Sequence, residues 1–423
     1  MLLTVMAITF AACGSGDEPL TSGQDRPAPA NERFDVPDVG VPVSWGADLG
    51  AVFDGRLPVI AATADAVVAL SAADPSIGLD SSIVAVSADR QPFRPIELGT
   101  TLVAVSAVVD DDGTAVIVGN ECRSVPDPEG GCDPGALVPR AFEVDVAAAT
   151  STELPAPPED HVGARGLGVT SRGFAFQVAT TNGGEVTATW TGSDWTSTAL
   201  PFASASVCAA DDQLVAVAPT GSTAPAGGQK PSGGNVPEGA APVPADPDSV
   251  MSGERTPAGE PFWKAAVSDD AGETWSEPVE HRSIVDDIGF EPFTVCGPDH
   301  TLVHTMQLAW FTPRTGAWVG VEGSLATGPG AAIAYRPDGS SVLWSAPAPS
   351  NEPDPEAEPA EPSSQQRISF GPISGSTPKE NTETADLPDG LTLMTANGAG
   401  AARHGYLIVS QAGSPGYDLI QLS

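Results

Sequence analysis

Apolar runs recur along this chain in pairs, each pair folded about a short turn that carries Asp or Gly. The pairs occupy residues 59–70 about Asp65, 102–118 about Asp112 and Gly113, 167–178 about Arg172 and Gly173, and 205–217 about Asp212. Three more follow, at 293–305 about Asp299, 332–344 about Asp338 and Gly339, and 391–409 about Gly400. Short Val-, Ala- and Leu-rich runs bounded by turn residues predict strands, and each pair predicts a hairpin. Adjacent turns lie roughly 40 residues apart, or that distance plus an evident insertion, which is the length of one four-stranded propeller blade. The pattern predicts an all-β propeller of about seven four-stranded blades, with six as the alternative.

The second half of each unit follows its hairpin. Residues 83–98, IVAVSADRQPFRPIEL, and 186–201, VTATWTGSDWTSTALP, each give a strand, a polar turn and a return strand ending near Pro. Both are weaker versions of 265–279, AAVSDDAGETWSEPV. Complete outer halves are fewer than inner hairpins, so the last blade is expected to be completed by an N-terminal strand from residues 38–46, which removes an open sheet edge.

In residues 268–275 a short Ser and a carboxylate cap the amides of a tight turn, and Gly272 supplies a positive φ. Ser268, Asp270, Gly272, Thr274 and Trp275 fill a Ser-x-Asp-x-Gly-x-Thr-Trp pattern, and the segment resembles the Asp-box of sialidases and BNR-repeat proteins. The resemblance implies that Asp270 fastens a hairpin rather than acting as an acid. It also implies that Trp275 starts the outgoing strand with its ring between neighbouring sheets.

Two segments, 218–260 (Gly/Pro/Ser/Ala-rich) and 346–366 (Pro alternating with acids), cannot bury enough apolar surface to fold and are expected as mobile loops inside a propeller domain at 34–423. With 119–139 they all follow second strands. In a four-stranded blade that places them on one face together with the blade-to-blade crossovers, opposite the 268–275 turn. This loop face is where binding is expected.

The formal charge of −37 with only three lysines, Lys230, Lys264 and Lys379, argues against a nucleic-acid partner. Residues 1–13, an apolar run ending Phe10-Ala11-Ala12-Cys13, resemble a bacterial lipoprotein signal, which implies lipidation at Cys13. Residues 14–33 then read as a flexible tether. No later run is long enough to span a bilayer, so the expected location is the outer side of the cytoplasmic membrane, lipid-anchored or secreted. The remaining cysteines are even in number, as suits an oxidising compartment. Cys122 and Cys132 bracket a short Pro/Gly-rich loop. Cys208 and Cys296 occupy matching phrases, SVCAADDQLVAV and TVCGPDHTLVHT, and equal positions in neighbouring repeats would bring them together.

The sialidase resemblance does not extend to catalysis. That family uses three arginines, a Tyr nucleophile and an Asp acid. The tyrosines here are Tyr335, beside a hairpin turn, and Tyr406 and Tyr417, assigned to outer strands. Two polar groups remain as a candidate pocket at the channel mouth: His161 and Arg165 in one crossover, and His281, Arg282, Asp286, Asp287 and Glu291 in another. No metal or cofactor motif is present. The sequence reading is a non-catalytic, monomeric binding platform for an envelope protein or glycan. The alternative is a divergent glycoside hydrolase that uses loop-face carboxylates.

Overall fold

The computed structural model describes residues 38–73, 81–123, 132, 134–157, 161–180, 184–202, 205–210, 213–219, 261–282, 293–304, 308–320, 332–347, 366–372, 383–414 and 416–423. Its strands, numbered β1 to β28 in chain order, form seven four-stranded antiparallel sheets. Each sheet is one blade. The innermost strands are β2 (Val59–Ala62), β6 (Leu102–Val109), β10 (His161–Thr170), β14 (Ser206–Ala210), β18 (Phe293–Cys296), β22 (Ile333–Tyr335) and β26 (Leu391–Thr395).

Burial explains why the inner hairpins read as continuous apolar runs. Strand β3 (Ala66–Ser71) is buried at every position because neighbouring blades cover both of its faces, whereas β5 (Arg94–Ile96), β9 (Thr150–Leu154) and β13 (Trp195–Ala199) are largely exposed. The core is correspondingly divided into seven clusters, one in each gap between adjacent blades. Buried amides staple some of these gaps. Asn120 donates to the Val162 carbonyl at 3.0 Å, and the Gln366 side chain both accepts from the Leu393 amide at 2.8 Å and donates to its carbonyl at 3.2 Å.

The last blade is completed from the N-terminal side, by β1 (Val43–Asp48) pairing with β28 (Tyr417–Leu422) outside β27 (Tyr406–Gln411). The strand lies later than residues 38–46. Pro42 has no amide for the ladder, and pairing starts just beyond it. Likewise, the edges of the two long insertions belong to strands: β15 (Gln213–Pro219) takes Ala218 and Pro219, β23 (Ser341–Pro347) takes Ala346 and Pro347, and β24 (Gln366–Pro372) takes Gln366. The rest of 218–260 and 346–366, and the tether 14–33, lie outside the described residues.

At the closing seam two carboxylates face each other, Asp48 opposite Asp418. Desolvation first, and the Asp48 charge second, push the Asp418 carboxyl up to about 6. A folded value above the unfolded one, about 3.9, means that the native state holds this proton more tightly. Its stabilising effect is complete below pH 4 and is lost as pH rises through 6. Asp418→Asn is therefore expected to stabilise the fold at pH 8 by on the order of 1 kcal/mol, after discounting for partial exposure. Urea midpoints should differ at pH 8 and coincide near pH 4.

Candidate functional site

The tightest turn chemistry lies at residues 268–275, after β16 (Pro261–Ser268). The buried Ser268 Oγ accepts the Gly272 amide at 2.7 Å and donates to Asp270 Oδ1 at 2.8 Å. Asp270 accepts the Thr274 amide at 2.8 Å and the Thr274 hydroxyl at 2.6 Å. Those Thr274 bonds, helped by Ser268, hold the Asp270 carboxyl down at about 2. Gly272 has φ 94°, and Glu273 pairs with Arg172 in the adjacent blade's hairpin turn. Three of its acceptor positions are taken up inside the turn, so this carboxylate fastens the hairpin. Trp275 packs against the cluster between the third and fourth blades, but it does not start the outgoing strand. Pro278 delays the ladder, and β17 begins after it (Val279–Arg282).

Both cysteine pairs are bridged, Cys122 to Cys132 and Cys208 to Cys296, with Cα atoms 5.8 Å and 5.6 Å apart. The second bridge joins β14 to β18, so it welds two innermost strands of neighbouring blades. Such bonds belong to an oxidising compartment. Among the described residues, no helix is long and apolar enough to cross a membrane.

Of the two polar groups expected to share a pocket, the described members lie apart. Arg165 and His161 lie on innermost strand β10, not in a crossover; the structure describes the backbone but not the side chain of His161. His281 and Arg282 lie on β17, the outermost strand of its blade. The His281 ring stacks on Trp318 of β21 (Ala317–Gly320), the outermost strand of the next blade, with centroids 4.9 Å apart. Burial there disfavours its imidazolium. His281 is thus a packing residue on the outer rim, and a strand four positions from the axis cannot reach the channel mouth. The side chain of Arg282, and Asp286, Asp287, Glu291 and Cys13, lie outside the described residues.

A cavity of about 320 Å³ opens between the innermost strands, near the ends where the crossovers enter. Its walls come from β2, β6, β10, β14 and β18 and from residues 396–403. Arg165 projects into it, packed over the Phe293 ring at 5.4 Å and donating to Ser206 Oγ at 3.4 Å. Ser206 in turn shares a hydrogen bond with Thr294 at 2.9 Å. Solvent reaches Arg165 through the cavity, yet the surrounding walls partly desolvate it; this works against its charge, while Glu185 favours it. Next to it, Gly166 donates to Ser106 Oγ at 2.6 Å, and a Cβ there would meet the Ala107 carbonyl at 2.3 Å. The absence of a side chain at 166 lets β10 lie flush on β6 and aims its neighbour inward.

The hairpin between β26 and β27 is unlike the others. Residues 396–405, ANGAGAARHG, run along β2, taking amides from Ile60 and Ala62 onto the carbonyls of Asn397 and Ala399 at 2.6 and 3.0 Å. Ala399 joins the cluster between the second and third blades, and the Ala402 carbonyl accepts the Tyr335 amide at 2.7 Å. The segment therefore ties blades across the axis. A second cavity, about 260 Å³, lies toward the hairpin turns, and Ala399, Gly400 and Arg403 wall both. There His404 is held down at about 4 by desolvation and then by Arg403.

Tyr335 is fully buried, donating to the carbonyls of Val295 and His300 at 3.3 and 3.1 Å, and burial pushes its hydroxyl far up. Tyr406 sits on the second strand of its blade, not an outer one, and donates to the Ala64 carbonyl at 3.3 Å. Neither is placed as a nucleophile. The hydroxyl arc and the axial segment escaped the sequence reading. The signals were a Gly-flanked arginine, GARGLG, and a loop far longer than a two-residue turn with only small residues in its first half.

No protein-family model matches this chain, and no curated protein matches it. Among solved structures, it aligns with "YCF48 bound to D1 peptide" at TM-score 0.42 and 10% identity, over 89% of this chain and 94% of that one. The beta-propeller domain of Myceliophteria thermophila Cps50 (Swd1) gives 0.43 and 9%, over 87% and 98%. A chain of the mitotic checkpoint complex gives 0.42 and 10%, over 93% and 99%. Likeness of this degree assigns no ligand; the seven-bladed architecture rests on the sheets themselves.

Proposed function

We propose that this chain is a cell-envelope lipoprotein, anchored through a lipid on Cys13, whose propeller is a non-catalytic binding platform with its ligand seat in the loop-face cavity. The observation that carries the reading is the composition of that cavity. Two arginines, Arg165 and Arg403, and a few polar groups line otherwise apolar walls, the usual make-up of a small-ligand or side-chain pocket. Among the described residues no carboxylate lines it, whereas glycoside hydrolysis requires two acids flanking the bond to be cut.

The bridges support an extracytoplasmic location. The hydrogen bonds within residues 268–275 support reading that turn as an Asp-box of the BNR-repeat kind, a structural device on the face opposite the seat. The partner on this reading is an envelope protein or glycan. The test is photo-crosslinking from Phe293 and, as control, from Glu273 on the opposite face, in cells that display the chain. Capture of one saturable partner from Phe293 alone is the expected result. Turnover of a chromogenic glycoside, abolished by one loop-face carboxylate substitution, would overturn it in favour of a hydrolase.

A further inference from the structure

Arg165 stands out against the electrostatics of the chain. The formal charge is −37, yet among the described residues no carboxylate is within ion-pair reach of this guanidinium, although it is held at the centre of the ring. Arg140, Arg172 and Arg367 pair with carboxylates, while Arg56 and Arg94 donate to backbone carbonyls and Arg336 lies over the Phe370 ring; Arg165 differs from all of these in lining the loop-face cavity. Arg165 rests on an aromatic ring and one hydroxyl. A guanidinium at a cavity wall with no carboxylate in ion-pair reach gains from a bound anion, since a charge-assisted pair is the strongest bond it can make.

The rest of the wall narrows the class of anion. Val105, Leu167, Val207, Phe293 and Val295 present apolar surface, while the two wall hydroxyls are engaged, Ser106 with the Gly166 amide and Thr294 with Ser206 behind it. A polyhydroxylated sugar would lose hydrogen bonds to water on entering and find few replacements. A ligand with several negative charges is repelled by the strongly acidic chain. The volume, about 320 Å³, exceeds the ~150 Å³ that accommodates a benzene ring.

We propose that the loop-face cavity binds a small monocarboxylate with an apolar body, its carboxylate on Arg165 and its body against Phe293 and the valines. This deepens the platform reading by naming the ligand class, and it rests on that reading only for the choice of seat. The carboxylate supplies two acceptor oxygens to the planar guanidinium fork, and the body displaces water from the apolar wall.

The experiment is calorimetric titration of the intact, bridged chain with benzoate, hexanoate, benzamide and inorganic phosphate at one ionic strength. Benzoate and hexanoate are expected to bind, benzamide at least about tenfold more weakly than benzoate, and phosphate more weakly still. Arg165→Met should abolish the preference for benzoate over benzamide, while Arg165→Lys keeps part of it. Equal binding of benzoate and benzamide, preference for phosphate, or no binding of any probe would each overturn the inference. The benzamide comparison needs no variant, so it decides even if Arg165→Met folds poorly. Crosslinking from Phe293 that persists in the face of a negative titration would leave the platform standing and remove only its ligand class.

Discussion

Replacing Cys208 and Cys296 together by alanine is expected to lower stability by about 4–5 kcal/mol, against about 2–3 kcal/mol for the Cys122/Cys132 pair. The difference follows from loop length. The first bridge closes 88 residues and the second 10, and the entropy removed from the unfolded chain grows with the logarithm of that number. Packing adds to it in the same direction. Cys208 and Cys296 are buried in the cluster between the fourth and fifth blades, whereas Cys122, at the end of a strand, and Cys132 are only half-buried. The check is a pair of urea titrations with each double variant against the parent. Equal losses for the two pairs would show that unfolded-state entropy is not what these bridges act on.

The radial fold was legible because its physics is repetitive. Inner strands are covered on both faces by neighbouring blades, so they must be apolar without alternation, and seven such hairpins stand out from polar surroundings. Outer strands such as Arg94–Ile96 and Thr150–Leu154 are exposed and carry little signal. The candidate site was legible only in part, and the reason lies in β10. Contact with the Ala107 carbonyl excludes a side chain at Gly166, so the strand HVGARGLGVT lacks the apolar run that marks its equivalents. A sequence reading starts the strand at Leu167 and leaves Arg165 outside it. His281 failed for a different reason: adjacency in sequence to a crossover says nothing about distance from the axis, and an outermost strand ends on the same face as an innermost one begins. The axial segment was read as an ordinary turn at Gly400 because small residues are what both a turn and a tightly enclosed strand-like segment require.

Gly400→Ala is expected to cost about 3 kcal/mol or more, a large effect for one methyl group, because two separate penalties coincide. The residue has φ +75°, where a Cβ is disfavoured by about 1–2 kcal/mol, and the new atom would lie 2.2 Å from the Ala62 carbonyl oxygen. That carbonyl cannot swing aside as a side chain would. Ala62 belongs to β2, paired through its length with β3, and its amide is bound to Ala399 at 3.0 Å. Relief requires the axial segment to back away from the first blade, which would strain its bonds to Ile60 and Tyr335 as well. Gly113→Ala separates the two penalties. It has nearly the same φ, +79°, in an open hairpin turn with nothing within 4 Å of the added atom; only the backbone penalty, about 1 kcal/mol, should appear there. Denaturation of the two variants side by side isolates the contact at the axis. If Gly400→Ala were no worse than Gly113→Ala, the segment would not be pressed against β2, and the division of the channel into two cavities would fail with it.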